Sequence, residues 1–244
     1  MIFLLKTTLV GLFFGTFGTT IGGIIGISLK NTSNKFLSFI LSFASGLMFA
    51  VVCFDLIPES LKIDSMSNTI IGVILGVICM IVCDRLVERK FSNNTKIQNN
   101  LLKTGIIVAI GLALHNIPEG LAIGSSFDAS IKLGYSLAIA ICLHDIPEGI
   151  SMGVPMKSGG MKKTKIIFYI VMSGFTTGIG VFCGAIIGEI SNTIISLSLA
   201  FAGGAMLYIV SGELIPEANN LYRGRLTSVG NILGFILGIF VSNL

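Results

Sequence analysis

Eight apolar runs take up most of the chain, near positions 4–28, 36–60, 68–84, 104–126, 132–155, 165–188, 194–216 and 227–243. Roughly 20 apolar residues of helix cross the hydrocarbon core of a bilayer, and each run is near that length. Inside a bilayer the backbone must satisfy its own hydrogen bonds, so such runs fold as helices. Of the 244 residues, 53% are hydrophobic and only 11% charged, too much apolar surface for a soluble domain to hide. The connections are short. The expected architecture is one all-α integral membrane domain over residues 1–244, with eight transmembrane helices and the lipid bilayer as its solvent. The first run lacks a basic leader and a clear small-residue cleavage site, so it reads as a retained helix rather than a signal peptide.

The net charge of +4 matters less than its distribution. Lys30 and Lys35 fall between runs one and two, and Arg85, Arg89, Lys90, Lys96 and Lys103 between three and four. Lys157, Lys162, Lys163 and Lys165 fall between five and six, and Arg223 and Arg225 between seven and eight. All of these gaps open on one membrane face. Only Lys6, Lys62 and Lys132 fall on the other. The positive-inside rule then puts both termini outside. Charges spread over four loops of one face make no patch for nucleic acid, and none is expected as a partner. The five cysteines, Cys53, Cys79, Cys83, Cys142 and Cys183, all lie in apolar runs without a C-x-x-C pair, and read as packing residues.

Four of the five prolines share one pattern: "DLIPE" (55–59), "HNIPE" (115–119), "HDIPE" (144–148) and "ELIPE" (213–217). Seven of the twelve carboxylates lie in these stretches. The likeness extends further. At a shift of 158 residues, "FASGLMFAVVCFDLIPES" (43–60) falls on "FAGGAMLYIVSGELIPEA" (201–218). "TIIGVILGVI" from Thr69 falls on "TSVGNILGFI" from Thr227, and Phe17, Thr19, Ile21, Gly22 and Gly26 fall on Phe175, Thr177, Ile179, Gly180 and Gly184. Helices one to three therefore repeat as six to eight. A shift of five helices reverses direction across the membrane, so the repeat is inverted. A shift of 29 residues lays the fourth helix on the fifth, and the organisation is 3+2+3. Inverted repeats of this kind mark many secondary transporters, with the binding site near the midplane.

Residues four apart share a helix face. His115 and Glu119 can therefore converge on one ion, as can His144 and Glu148, while Asn116 and Asp145 border the same stripe. The two helices are antiparallel neighbours joined by a short loop near "SSFDASIK", and both motifs fall near mid-helix. Together they offer two imidazoles, three carboxylates and an amide, a nitrogen-and-oxygen set suited to borderline divalent metals. Pro118 and Pro147 each free a backbone carbonyl and bend the helix. The chain has only two histidines, both at equivalent motif positions, and ionisable groups at this depth are functional by default.

The outer copies lack histidine. Asp55 and Glu59 lie near the outer end of the second helix, and Glu213 and Glu217 near the inner end of the seventh. They read as cation entrance and exit groups. Met48, seven residues before Asp55 on the same face, offers a soft thioether to the site, with Met206 as its repeat partner. Glycines recur at four-residue spacing in helices one, six and eight and let helices approach closely.

These residues resemble the ZIP (Zrt/Irt-like) metal transporters, and among them the bacterial GufA-like branch. The likeness runs over essentially the whole chain, and "HNIPEG" with "HDIPEG" in consecutive helices is its most specific part. The resemblance implies uptake of Zn²⁺, or of Fe²⁺, Mn²⁺ or Cd²⁺, across the cytoplasmic (cell inner) membrane as transported substrate rather than cofactor. It implies His115, Asn116, Glu119, His144, Asp145 and Glu148 as metal ligands with Met48 alongside, a helix bundle moving as an elevator, and a homodimer. There are departures. Some relatives carry a glutamate in the sixth helix, in a stretch like "SGLVEPLG"; this chain has "SGFTTGIG", so Thr177 stands in that place and the sixth-helix ligand to a second metal is missing. The loop between helices three and four has no histidine.

Two other functions compete with transport. An intramembrane metal-dependent hydrolase would use the same ligands to activate water, but there is no H-E-x-x-H and neither motif helix supplies a histidine pair. A membrane metal sensor would need a partner domain or tail, and none is seen. The chain reads as a transporter and not an enzyme.

Overall fold

The computed structural model describes residues 2–29, 32–91, 100–188 and 190–243. The side chains of 87–91, 100–105, 107, 108 and 115 lie outside that description. Lys30, Arg89, Lys90, Lys96, Lys103 and the imidazole of His115 therefore fall outside the described residues.

Among the described residues there are eight long helices and no strand. They are α1 (Ile2–Ser28), α2 (Asn34–Ile63), α3 (Met66–Phe91), α4 (Asn100–Ala129), α5 (Ile131–Ser158), α6 (Lys163–Gly188), α7 (Asn192–Leu221) and α8 (Arg225–Ser242). Seven are long and apolar enough to cross a membrane; α4 is the eighth. The chain is a multi-pass membrane protein. The helices overrun the apolar runs at their ends, because a helix can continue into the headgroup region. The loop expected near "SSFDASIK" shrinks to Ser130. Its backbone is extended (φ −161°, ψ 144°) and its hydroxyl accepts the N–H of Leu133, so it caps α5. Ser33 and Ser191 cap α2 and α7 in the same way.

The two long helices that carry the acidic motifs are built alike. In α2 a π-turn spans Val52–Leu56, and in α7 another spans Val210–Leu214, 158 residues on. Each precedes the proline of its motif, Pro58 or Pro216. The ring of a helical proline crowds the carbonyl four residues back and cannot bond to it. A π-turn widens the helix there: the Ile57 N–H reaches back to the Val52 carbonyl, and the Ile215 N–H to that of Val210. In α4 and α5 the same Ile-Pro-Glu sequence stays α-helical.

Two sets of four helices emerge from the packing. Helices α1, α4, α5 and α6 pack on one another, and α2, α3, α7 and α8 form the other set through the α2–α8 and α3–α7 pairs. The sets meet mainly where α2 lies on α5 and α4 on α7. The contacts come in matched pairs. An added Cβ at Gly46 would run into the Asn231 carbonyl oxygen of α8, and one at Gly204 into the Val73 carbonyl oxygen of α3. Likewise Gly120 of α4 backs onto the Thr177 carbonyl of α6, and Gly149 of α5 onto the Thr19 carbonyl of α1. Shifts of 158 and 29 residues convert each contact into its mate, the pattern a two-fold relation produces. Buried hydroxyls close the second set at both ends: Ser38 Oγ lies 2.9 Å from Thr227 Oγ1, and Ser60 Oγ lies 2.8 Å from Thr69 Oγ1 and 2.9 Å from Ser196 Oγ.

The outward faces are apolar. Helix α3 turns Ile70, Ile71, Ile74, Leu75 and Ile78 outward, and α8 turns Val229, Ile232, Leu233 and Ile236 outward. These stripes suit lipid, whereas α5 is the most enclosed of the seven spans.

Candidate metal centre

The helical period sets the geometry. His144 and Glu148 stand one turn apart on α5, and Glu119 faces them from α4. One ligand atom from each of the three lies within 4.8 Å of the other two. His144 Nε2 lies 2.9 Å from Glu119 Oε1, 3.5 Å from Asp145 Oδ1 and 4.0 Å from Glu148 Oε1. Glu119, Asp145 and Glu148 have no exposed surface, and His144 is 1% exposed. Three carboxylates thus crowd round this imidazole, away from solvent. Burying charge of one sign is costly without a compensating cation. A divalent ion suits such a nitrogen-and-oxygen set. Its binding requires the carboxylates ionised and the imidazole neutral.

The neighbours are held by the flanking helices. The Asn116 amide donates to the Ser173 carbonyl of α6 at 2.9 Å, which leaves Asn116 Oδ1 buried and unpartnered among the described residues. Asp145 lies against α1, where an added Cβ at Gly18 would sit 2.8 Å from its own. Glycine at 18 is what lets this carboxylate fit beneath α1. His144 Nδ1 is also buried without a partner among the described residues. The His115 backbone is helical on α4, one turn before Glu119.

The remaining expected site residues are spread along the two helix sets. Met48 is fully buried in α2, within the apolar cluster that includes Leu137, Ala138 and Ile141 of α5. Thr177 is fully buried in α6, packed against Gly15 of α1, with its hydroxyl unpartnered among the described residues. Asp55 is buried within the π-turn of α2, where the Ser242 hydroxyl donates to its Oδ2 at 2.6 Å. Glu59 is half-buried and pairs with Lys62 at 3.0 Å. Glu213 and Glu217 are exposed on α7. The two acidic pairs occupy equivalent positions in sequence but differ in burial.

Sequence reasoning missed Ser173, Ser242 and Lys132. Ser173 and Ser242 act on motif residues 57 and 187 positions away, so no local pattern marks them. Lys132 joins Asp55, Glu59 and Lys62 around one cavity of about 200 Å³. Its signal was its place among the three basic residues of a membrane face that otherwise carries only acids.

Comparison with known proteins adds a family to this geometry. The model of the family described as "ZIP Zinc transporter" matches residues 88–243. The chain is 35% identical over 137 residues to "Zinc transporter GufA" of Myxococcus xanthus, covering 56% of this chain and 54% of that protein. It is 37% identical over 138 residues to "Zinc transporter ZIP11" of Homo sapiens, covering 54% of this chain and 40% of that one. It is 29% identical over 232 residues to "Zinc transporter ZupT" of Enterobacter sp. (strain 638), covering 91% and 90%. The chain thus spans about half the length of GufA, less of ZIP11, and most of ZupT.

Proposed function

The chain belongs to the ZIP family of zinc transporters, and from that premise we propose that it carries Zn²⁺ into the cytoplasm through a site between α4 and α5. The observation that carries the reading is the convergence of buried Glu119, His144 and Glu148. A cation there would replace the Glu119–His144 hydrogen bond with bonds to both residues and would balance the buried carboxylates. His115, Asn116 Oδ1 and Asp145 complete the donor set in this reading, and Met48 adds a thioether from α2. Fe²⁺, Mn²⁺ and Cd²⁺ are the competing substrates. A second cation would find a hydroxyl, not a carboxylate, at Thr177 of α6.

The route follows from the two acidic pairs. Asp55 and Glu59 receive the cation on the outer side, and Glu213 and Glu217 release it on the inner side. The cytoplasmic membrane, with both termini outside, is the orientation that the distribution of Lys and Arg supports. The division of the helices supports a mechanism. The set α1, α4, α5 and α6 carries Glu119, His144 and Glu148. Moving it against α2, α3, α7 and α8 would expose the site to each side in turn. The smooth glycine contacts of α4 with α6 and of α5 with α1 keep that set together.

Radiolabelled Zn²⁺ uptake into liposomes holding the purified chain tests the reading, with Fe²⁺, Mn²⁺ and Cd²⁺ as competitors. The wild type takes up zinc, and His144→Ala and Glu148→Ala abolish uptake while helix content stays unchanged. An intact wild-type protein that binds metal without moving it would overturn transport in favour of a membrane metal sensor.

A further inference from the structure

The mouth between α2, the start of α5 and the end of α8 holds charges of both signs. A cavity of about 200 Å³ is lined there by Asp55, Glu59, Lys62, Ser130, Lys132 and Ser242, among others. Each acid in it already has a donor. The buried Asp55 accepts from the Ser242 hydroxyl at 2.6 Å. Glu59, four residues on, is held by Lys62 Nζ at 3.0 Å. Lys132 brings a second ammonium to the same cavity. The mouth therefore balances two carboxylates with two ammonium groups.

The matching stretch of α7 is built differently. Glu213 and Glu217 stand 158 residues beyond Asp55 and Glu59, and both are exposed. Asn220 stands where Lys62 would recur, so the lysine belongs to one mouth and not to the shared scaffold.

Resting on the transport reading, we propose that Lys62 is a tethered cation that competes with incoming metal for Glu59, and that Lys62 and Lys132 together set the apparent affinity for external cations. The Lys62 side chain is 72% exposed, so its ion pair is weak and exchanges readily. Its flexible stem lets the ammonium swing into water when displaced. Because it is tethered, it competes at an effective concentration of about millimolar or more. A monovalent ion gains no more from Glu59 than the ammonium already does, whereas a divalent ion gains about twice as much. Lys62 thereby favours divalent over monovalent cations at the mouth, at a cost in affinity for both.

The test uses intact cells expressing the chain, in which membrane insertion fixes which mouth faces the medium. Initial uptake of radiolabelled Zn²⁺ is measured against zinc concentration at several ionic strengths. Lys62→Gln and Lys132→Gln each lower KM by roughly three- to tenfold at low salt, with the maximal rate unchanged. The effect shrinks as salt rises and screens the mouth. Lys62→Arg keeps the wild-type KM. Wild-type uptake with an unmoved KM in the double variant Lys62→Gln/Lys132→Gln overturns this proposal alone. Absence of wild-type uptake in the same cells overturns the transport reading and this proposal with it.

Discussion

Glu119 of α4 and His144 of α5 share a hydrogen bond of 2.9 Å with neither side chain open to solvent. That bond joins two helices at the point where each carries a proline one residue before its motif glutamate. It also ties together two donors that a divalent cation would use.

Glu119→Gln keeps the shape of the side chain and removes its charge. The Zn²⁺ affinity of the solubilised protein, measured by titration calorimetry, falls by more than the roughly 10- to 100-fold lost with an outer partner. Unchanged affinity would remove Glu119 from the site.

Zinc binding stabilises whichever fold forms the site. At about 100 times its Kd, zinc adds about 2.7 kcal/mol to wild-type stability and raises the thermal midpoint. The double variant His144→Ala/Glu148→Ala shows no rise. The wild-type rise weakens as pH falls, because protons compete with metal for the same nitrogen and oxygen atoms.

Close helix approach depends on glycine at 120 and 149. Gly120→Val and Gly149→Val drive a side chain into the Thr177 and Thr19 carbonyls and lower stability by about 1–3 kcal/mol or more. Gly111→Ala is the control, since nothing among the described residues lies within 4 Å of the position its Cβ would take. Alanine there gains roughly 0.5–1 kcal/mol of helix stability. Thermal midpoints in detergent separate the two classes.

Thr177→Val removes a buried hydroxyl that has no partner among the described residues. Leaving such a group unsatisfied costs about 1–3 kcal/mol, so the variant is at least as stable as the wild type. Its zinc uptake in liposomes is unchanged. A marked loss of uptake would make the hydroxyl a ligand.

The helices and the convergence of the motif residues were legible in the sequence because both follow from local periodicity. Apolar length marks the spans. The four-residue spacing puts His144 and Glu148 on one face, and the 29-residue shift carries that stripe to Glu119. What was not legible depends on distant chain. The π-turns at Val52–Leu56 and Val210–Leu214 relieve the clash of proline with the carbonyl four residues back, yet α4 and α5 carry the same Ile-Pro-Glu without them. Asp55 and Glu213 hold the same place in their motifs, and nothing local sets their burial apart. Ser242, at the end of α8, holds Asp55, while Glu213 lies exposed. The turn at Ser130 was shorter than expected, since one capping serine suffices to restart a helix.

Anomalous scattering from zinc-soaked crystals checks the proposed zinc site between α4 and α5. The proposed site gives a zinc peak with oxygen and nitrogen donors from Glu119, His144 and Glu148 at about 2.0–2.2 Å. A peak elsewhere, with Glu119 and His144 still bonded to each other, would contradict it.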